Sequence, residues 1–262
     1  MNRIWRPTSL GLLITAVTLI SQAHSASAQE LNLVPRFVRQ GYDPQYPTAH
    51  TFLDACLNLD QWSYVRSVTS YLGYWDNLND TDSGLLSSCF QNMNANGLRL
   101  SIEAGAWDAG CATGDQCFSR EQPRLQALVS LGAPPILLRM QEPFSNCKST
   151  AGCTPSYVAD QIASYMKLMR GAFSGIRIVD IEGYPFNTYL DLAGDINALA
   201  QSTSAIGTGM PEYFEIDHDW QRQDWNFIEV NDLKIVSNAW GMAFGVIFWN
   251  STAPETDTNN AD

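Results

Sequence analysis

Ile178-Val179-Asp180-Ile181-Glu182-Gly183-Tyr184-Pro185 is the stretch on which the fold turns. Side chains alternate across a strand, so Asp180 and Glu182 share one face of a segment otherwise made of Ile and Val. The strand, read from Ile176 to Glu182, ends in a carboxylate. A polar loop follows, and then a helical pattern from Thr188 to Gln201.

Working outward, the same unit recurs six times: a β-branched or aromatic strand, an acidic or aromatic end, a polar loop and a helix. The strands are Val68 to Trp75, Leu98 to Trp107, Pro135 to Glu142, Ile176 to Glu182, Glu212 to Trp220 and Phe244 to Asn250. Between Thr154 and Arg170, Val158, Ile162, Tyr165, Met166 and Met169 recur at helical spacing. Helices also fit Asp82 to Met93 and Arg120 to Leu131. Thr, Ser or Asp supply N-caps, and Gly97, Gly132 and Gly171 follow helical segments. Strands alternating with helices predict a parallel sheet.

An open doubly wound sheet and a closed barrel both accommodate this alternation. The polar residues sit at the strand ends, and in a barrel those ends converge on one mouth, so Asp76, Glu103, Glu142, Glu182 and Asp217 would surround one cavity. An open sheet would concentrate function at one switch point. No G-x-G-x-x-G or Walker pattern follows a strand, which removes the usual dinucleotide and phosphate readings. The expected fold is therefore α/β, a (β/α) TIM-type barrel with six recognisable units. A seventh strand is read at Asn32 to Arg39, interrupted by Pro35, with a helix Ala49 to Leu59 after it. Six units are two short of closure, so the expectation is a truncated sequence or an atypical barrel.

Composition narrows the setting. Arg3 and Arg6 precede an uncharged apolar run from Thr8 to Ser21, and Ala26-Ser27-Ala28 closes an A-x-A cleavage pattern before Gln29. Residues 1–28 read as a secretory signal peptide, 29–251 as one barrel domain and 252–262 as a polar tail. The exported protein is expected to be secreted or periplasmic and free of the membrane once the leader is removed. A net charge of -12 repels polyanions such as nucleic acid and suits a neutral substrate, although solubility alone accounts for the sign equally well. Six cysteines suit an oxidising compartment. Cys111 with Cys117 and Cys147 with Cys153 share one spacing and read as loop staples, which leaves Cys56 and Cys89 for each other, although fifteen connectivities are formally open. His50 and His218 are too few for an ordinary zinc site, so no metal and no cofactor is expected.

The chemistry is carried by carboxylates. Glu103 ends a strand before Ala104-Gly105-Ala106-Trp107, where small residues let a ligand approach an indole; the alternative is a carboxylate satisfied by Arg99 or Arg139 inside the barrel. Asp180 and Glu182 on one face raise each other's pKa, which keeps one protonated as a general acid. Glu215, Asp217 and Asp219 alternate with Ile216 and His218 on another strand. They line a polar mouth, or Glu215 lies deep and paired with an arginine such as Arg177. Trp75, Trp107, Tyr184, Trp220 and Trp249 gather at the same ends, where sugar rings stack on aromatic faces.

Two local resemblances carry a family-level expectation. Gln141-Glu142-Pro143 resembles the Asn-Glu-Pro segment of the glycosidase clan that uses two glutamates, with Gln141 in place of the asparagine. In that clan the segment ends the fourth strand; counted from Val68 it ends the third here. Asp180-Ile181-Glu182 with Tyr184-Pro185 resembles the Asp-x-Glu end of the chitinase-type motif. It departs from it at Ile178, where the family has an earlier aspartate, and at the inserted Gly183. These resemblances to (β/α)8-barrel glycoside hydrolases imply a glycosidase acting on a neutral oligo- or polysaccharide. Glu182 would be its acid, tuned by Asp180, with Asp217 or Glu215 as the second carboxylate; Glu142 or Glu215 would take the acid role if Glu182 does not. A non-catalytic carbohydrate-binding barrel, or a metal-dependent hydrolase using Glu215, Asp217, His218 and Asp219, remains the alternative.

Overall fold

A computed structural model of the chain describes residues 31–33, 56–57, 69–74, 83–108, 110–185, 187–219 and 226–249. The leader, the polar tail, Trp75, Asp76, Trp220 and most of the seventh expected strand and its helix lie outside these residues.

Among the described residues seven strands form one sheet: β1 (Leu31–Leu33), β2 (Thr69–Tyr74), β3 (Arg99–Ala104), β4 (Ile136–Gln141), β5 (Arg177–Gly183), β6 (Tyr213–Asp219) and β7 (Ala243–Trp249). Every neighbouring pair is parallel and the order in space is the order in sequence. An open doubly wound sheet would reverse at a switch point, and this one does not. The sheet also curls. Neighbouring strands lie about 4.8 Å apart, so β2 and β5 would stand roughly 14 Å apart in a flat sheet. Instead the Arg177 guanidinium donates to the Tyr71 hydroxyl, and Tyr71, Leu137, Val179 and Ile181 form one buried cluster with Tyr213 and Ile247 against it. The fold is the expected (β/α) TIM-type barrel architecture, with the strand at Leu31–Leu33 raising the count from six to seven.

Helices α1 (Ser83–Ala95), α2 (Gly114–Ser130), α3 (Pro143–Lys148), α4 (Pro155–Ala172), α5 (Tyr189–Ile206) and α6 (Phe227–Ala239) alternate with the strands. Thr154 caps α4 by accepting from the Tyr157 N–H, with Pro155 following it, and Thr188 and Asp191 form a capping box on α5. Helix α2 starts six residues before the expected Arg120, because Thr113 accepts from the Gln116 N–H. That Thr-x-x-Gln pattern was readable in the chain. So was the Asn226 cap of α6 with Glu229 three residues on, but Phe227, Ile228 and Ile235 are exposed and blur the apolar period.

The main core lies between sheet and helices. Leu100 and Ile102 of β3, Leu138 and Met140 of β4 and Ile178 of β5 pack against Leu125, Val158, Ile162, Met166 and Leu199. Full burial of each such side chain contributes about 1.5–3 kcal/mol. All six cysteines pair as read: Cys56 with Cys89, Cys111 with Cys117 and Cys147 with Cys153, at Cα separations of 5.3, 5.1 and 5.4 Å. The last two pairs lie on the connections that follow β3 and β4. Among the described residues no helix is long and apolar enough to cross a membrane. Both features are compatible with an extracytoplasmic protein.

Candidate active site

The register sorts every strand residue to one of two faces. Glu103 pairs in register with Arg139, Arg139 with Val179, Ile181 with Glu215 and Gly183 with Asp217. Val179 and Ile181 belong to the inner cluster, so Glu103, Arg139, Glu215, Gly183 and Asp217 also point inward. Ile178 belongs to the helix-facing core, so Asp180 and Glu182 point outward, toward the helices.

The inner face is a stack of polar layers. Nearest the start of the strands, Arg99 and Arg177 both donate to the Tyr71 hydroxyl, and Arg177 also donates to Tyr213. Above them Arg139, only 4% exposed, bridges two carboxylates, reaching Glu103 at 3.2 Å and Glu215 at 3.0 Å. The alternative noted for Glu103, satisfaction by Arg139 inside the barrel, is the one found. Glu215 is deep and paired as expected, although with Arg139 rather than Arg177. Its stem occupies the space over Gly245, where a Cβ would come within 2.8 Å of its Cγ.

Glu142 completes the mouth. It follows β4, which β1 makes the fourth strand rather than the third. Its backbone sits in the left-handed region, φ 46° and ψ 47°, the only positive φ outside glycine among the described residues. Such a conformation costs on the order of 1–3 kcal/mol and persists where the surroundings impose it, often at functional sites. The carboxyl lies over Gly183, where a Cβ would stand 2.9 Å from Oε1. Burial, then the negative charges of Asp217 and Glu103, push its pKa above the ordinary glutamate value. Half-buried, raised and at the inner mouth, Glu142 has the properties of a general acid.

Asp180 and Glu182 do share a face, but it is the one turned toward the helices rather than into the barrel. Glu182 is 0% exposed and accepts from Phe144 N–H (2.7 Å), Ser145 N–H (3.0 Å) and Ser145 Oγ–H (2.6 Å). Burial pushes its pKa up to about 8 against the pull of those three bonds. Asp180 is also fully buried, neither carboxyl oxygen has a hydrogen-bond partner among the described residues, and burial with the charge of Glu182 pushes it well up. Both are raised, but burial is the main cause for each; the charge of Glu182 adds to the rise of Asp180, whereas the charge that adds to the rise of Glu182 is that of Asp195 rather than Asp180. Both lie fully buried on the helix-facing side of the sheet.

The aromatic expectation is corrected in two places. Trp107 is a core residue whose Nε1–H donates to the Ala112 carbonyl. Tyr184 is buried between sheet and helices, and its hydroxyl donates to Glu229. The strand alternation that brings Glu215 and Asp217 inward turns His218 outward, where it is 1% exposed and its Nδ1 lies 2.8 Å from the Tyr184 carbonyl oxygen. The four-residue cluster weighed for a metal-dependent hydrolase is thereby split across two faces. No group of three or more His, Cys, Asp or Glu able to hold a metal ion lies among the described residues. Trp249 ends β7, and its ring lies outside what is described.

No family model and no curated protein matches the chain. Solved structures similar to it include a GH10 endoxylanase from a sugarcane soil metagenome, at 7% identity and TM-score 0.48, covering 76% of this chain and 67% of that one. GH10 from Paenibacillus barcinonensis matches at 12% identity and TM-score 0.48, covering 86% and 72%. A mutant of the Thermobaculum terrenum O-GlcNAc hydrolase matches at 9% and 0.49, covering 76% and 44%. These neighbours are glycoside hydrolases. At such identities and scores the likeness adds nothing to the reading of individual residues.

Proposed function

We propose that the chain is an exported glycoside hydrolase acting on a neutral oligo- or polysaccharide, with Glu142 as its general acid and Asp217 as the partner carboxylate. The observation that carries this reading is the strained placement of Glu142 at the barrel mouth, over Gly183 and beside Asp217. Glycoside cleavage needs a protonated carboxyl at the leaving oxygen and a second carboxylate to act as base or nucleophile. The raised pKa of Glu142 keeps it protonated longer as pH rises. Asp217 projects inward from the neighbouring β6 at the level of Gly183. Arg139 holds Glu215 and Glu103 in ion pairs, which suits them to shaping the cavity floor rather than to proton transfer. The short resemblance of Gln141-Glu142-Pro143 to the two-glutamate glycosidase clan supports the same assignment. Proton transfer from a carboxyl to the leaving oxygen needs no cofactor.

The test is reducing-sugar release from a panel of neutral polysaccharides and aryl glycosides. Glu142→Gln should lower kcat/KM by about 10²- to 10⁴-fold while sugar binding persists. A variant as active as the wild type refutes the assignment. Amino-terminal sequencing of the exported protein should begin at Gln29. A second reading, a carbohydrate-binding barrel without turnover, is favoured by the neutralisation of two of the inner carboxylates by Arg139. Calorimetric binding with no product release from any substrate in the panel would select it.

A further inference from the structure

Resting on Glu142 as the acid, we propose that Glu182 is a positioning residue for it, part of a three-residue seat, Ile181-Glu182-Gly183, that sets where the acid stands. Each member of the seat touches the Glu142 region differently. The Ile181 carbonyl accepts from the Glu142 N–H at 2.9 Å, which carries the β4–β5 pairing one residue beyond β4. The Glu182 side chain leaves the opposite face of the strand and takes the Phe144 and Ser145 N–H groups, two and three residues past Glu142. Gly183, by having no side chain, leaves the space that the Glu142 carboxyl fills.

The result is a grip on both sides of a left-handed residue. Backbone bonds hold its own N–H on one side and the start of α3 on the other, so the residue between has little freedom to relax to an ordinary conformation. The grip is itself anchored. The Ser145 hydroxyl donates to Glu182 and accepts from the Asn187 side chain, whose Oδ1 receives Lys148, and Lys148 pairs with Asp195 of α5 at 3.0 Å. A chain of hydrogen bonds, buried at Ser145 and Asn187 and reaching the surface at Lys148, thus ties the end of β4 to the helix that follows β5, on the helix side of the sheet.

The test needs no knowledge of the sugar. The whole exported chain is labelled at the glutamate carboxyl carbons, and the Glu142 resonance is identified by its loss in Glu142→Gln. In the wild type it should titrate above an ordinary glutamate. Glu182→Gln, Ser145→Ala and Gly183→Ala should each move that titration by about half a unit or more, downward for the first two, as the carboxyl leaves its half-buried place. On 4-nitrophenyl glycosides kcat should fall at least about tenfold with KM within about twofold. The loss should shrink on 2,4-dinitrophenyl glycosides, whose better leaving group needs less protonation. Ser145→Ala removes only one oxygen and keeps the test alive if Glu182→Gln does not fold. An unmoved Glu142 titration in folded Ser145→Ala and Gly183→Ala overturns the seat. Activity surviving Glu142→Gln instead overturns the catalytic reading and leaves the titration result standing.

Discussion

The Glu142 carboxyl lies over Gly183, whose register partner on β6 is Asp217, so no β5 side chain at that level stands between the two acids. Burial raises the pKa of Glu142 first, and the charge of Asp217 raises it further. In the proposed mechanism the protonated form is the acid, so its deprotonation would set the alkaline limb of kcat/KM. Asp217→Asn removes one neighbouring negative charge and should move that limb to lower pH, besides lowering the rate by about 10²-fold or more. An alkaline limb that stays in place in a residually active Asp217→Asn enzyme counts against the pairing.

Arg139 answers two carboxylates with one guanidinium inside the barrel. Arg139→Met would remove the cation that Glu103 and Glu215 share. Removing one partner of a buried pair typically costs about 3–5 kcal/mol. Urea denaturation should show a loss of that order near neutral pH. A loss below about 1 kcal/mol would mean that solvent already screens the site.

Asp180 and Glu182 predict an alkaline weakness. Burial raises both, Glu182 to about 8 and Asp180 well above its ordinary value. A carboxyl that holds its proton more tightly folded than unfolded contributes stability in full below about pH 4, and that contribution is lost as pH rises toward the folded value. The melting temperature should therefore fall between pH 5 and pH 8. Asp180→Asn, which cannot ionise, should narrow that fall and make the variant more stable than the wild type at pH 8. Identical pH profiles would show that Asp180 is not what titrates.

The three disulfides should differ in worth. Chain-entropy cost grows with the loop closed, and Cys56–Cys89 spans 33 residues against 6 for each of the others. Replacing Cys56 and Cys89 together by alanine should cost about 3–4 kcal/mol, against about 2 kcal/mol for either short pair. Equal losses in denaturant titrations would show that strain or residual structure outweighs loop entropy.

Much of the barrel was legible in the chain. Six strands stand out by composition and period alone, and their ends agree with the structure within about three residues. The helices agree less closely: α2 starts six residues before the expected Arg120, and the exposed Phe227, Ile228 and Ile235 hide α6. Two equal cysteine spacings suggest the pairing, but only the structure chooses it among the fifteen open connectivities. Period-two alternation likewise established that Asp180 and Glu182 share a face and that Glu215 and Asp217 share another. What alternation does not carry is which face is which. In an antiparallel sheet one face meets water and the polar side declares itself. In a parallel barrel both faces are buried, one against helices and one against the opposite wall, so either can hold apolar residues or a satisfied charge. Here the inner face holds Arg99, Arg139, Arg177, Glu103 and Glu215, while the helix-facing layer hides Asp180, Glu182 and His218. Only the register between strands assigns the faces, because it ties each residue to neighbours whose packing is unambiguous. The same register turns Glu182 toward the helices and leaves Glu142, a residue past the end of its strand where periodicity has nothing left to say, as the acid we propose.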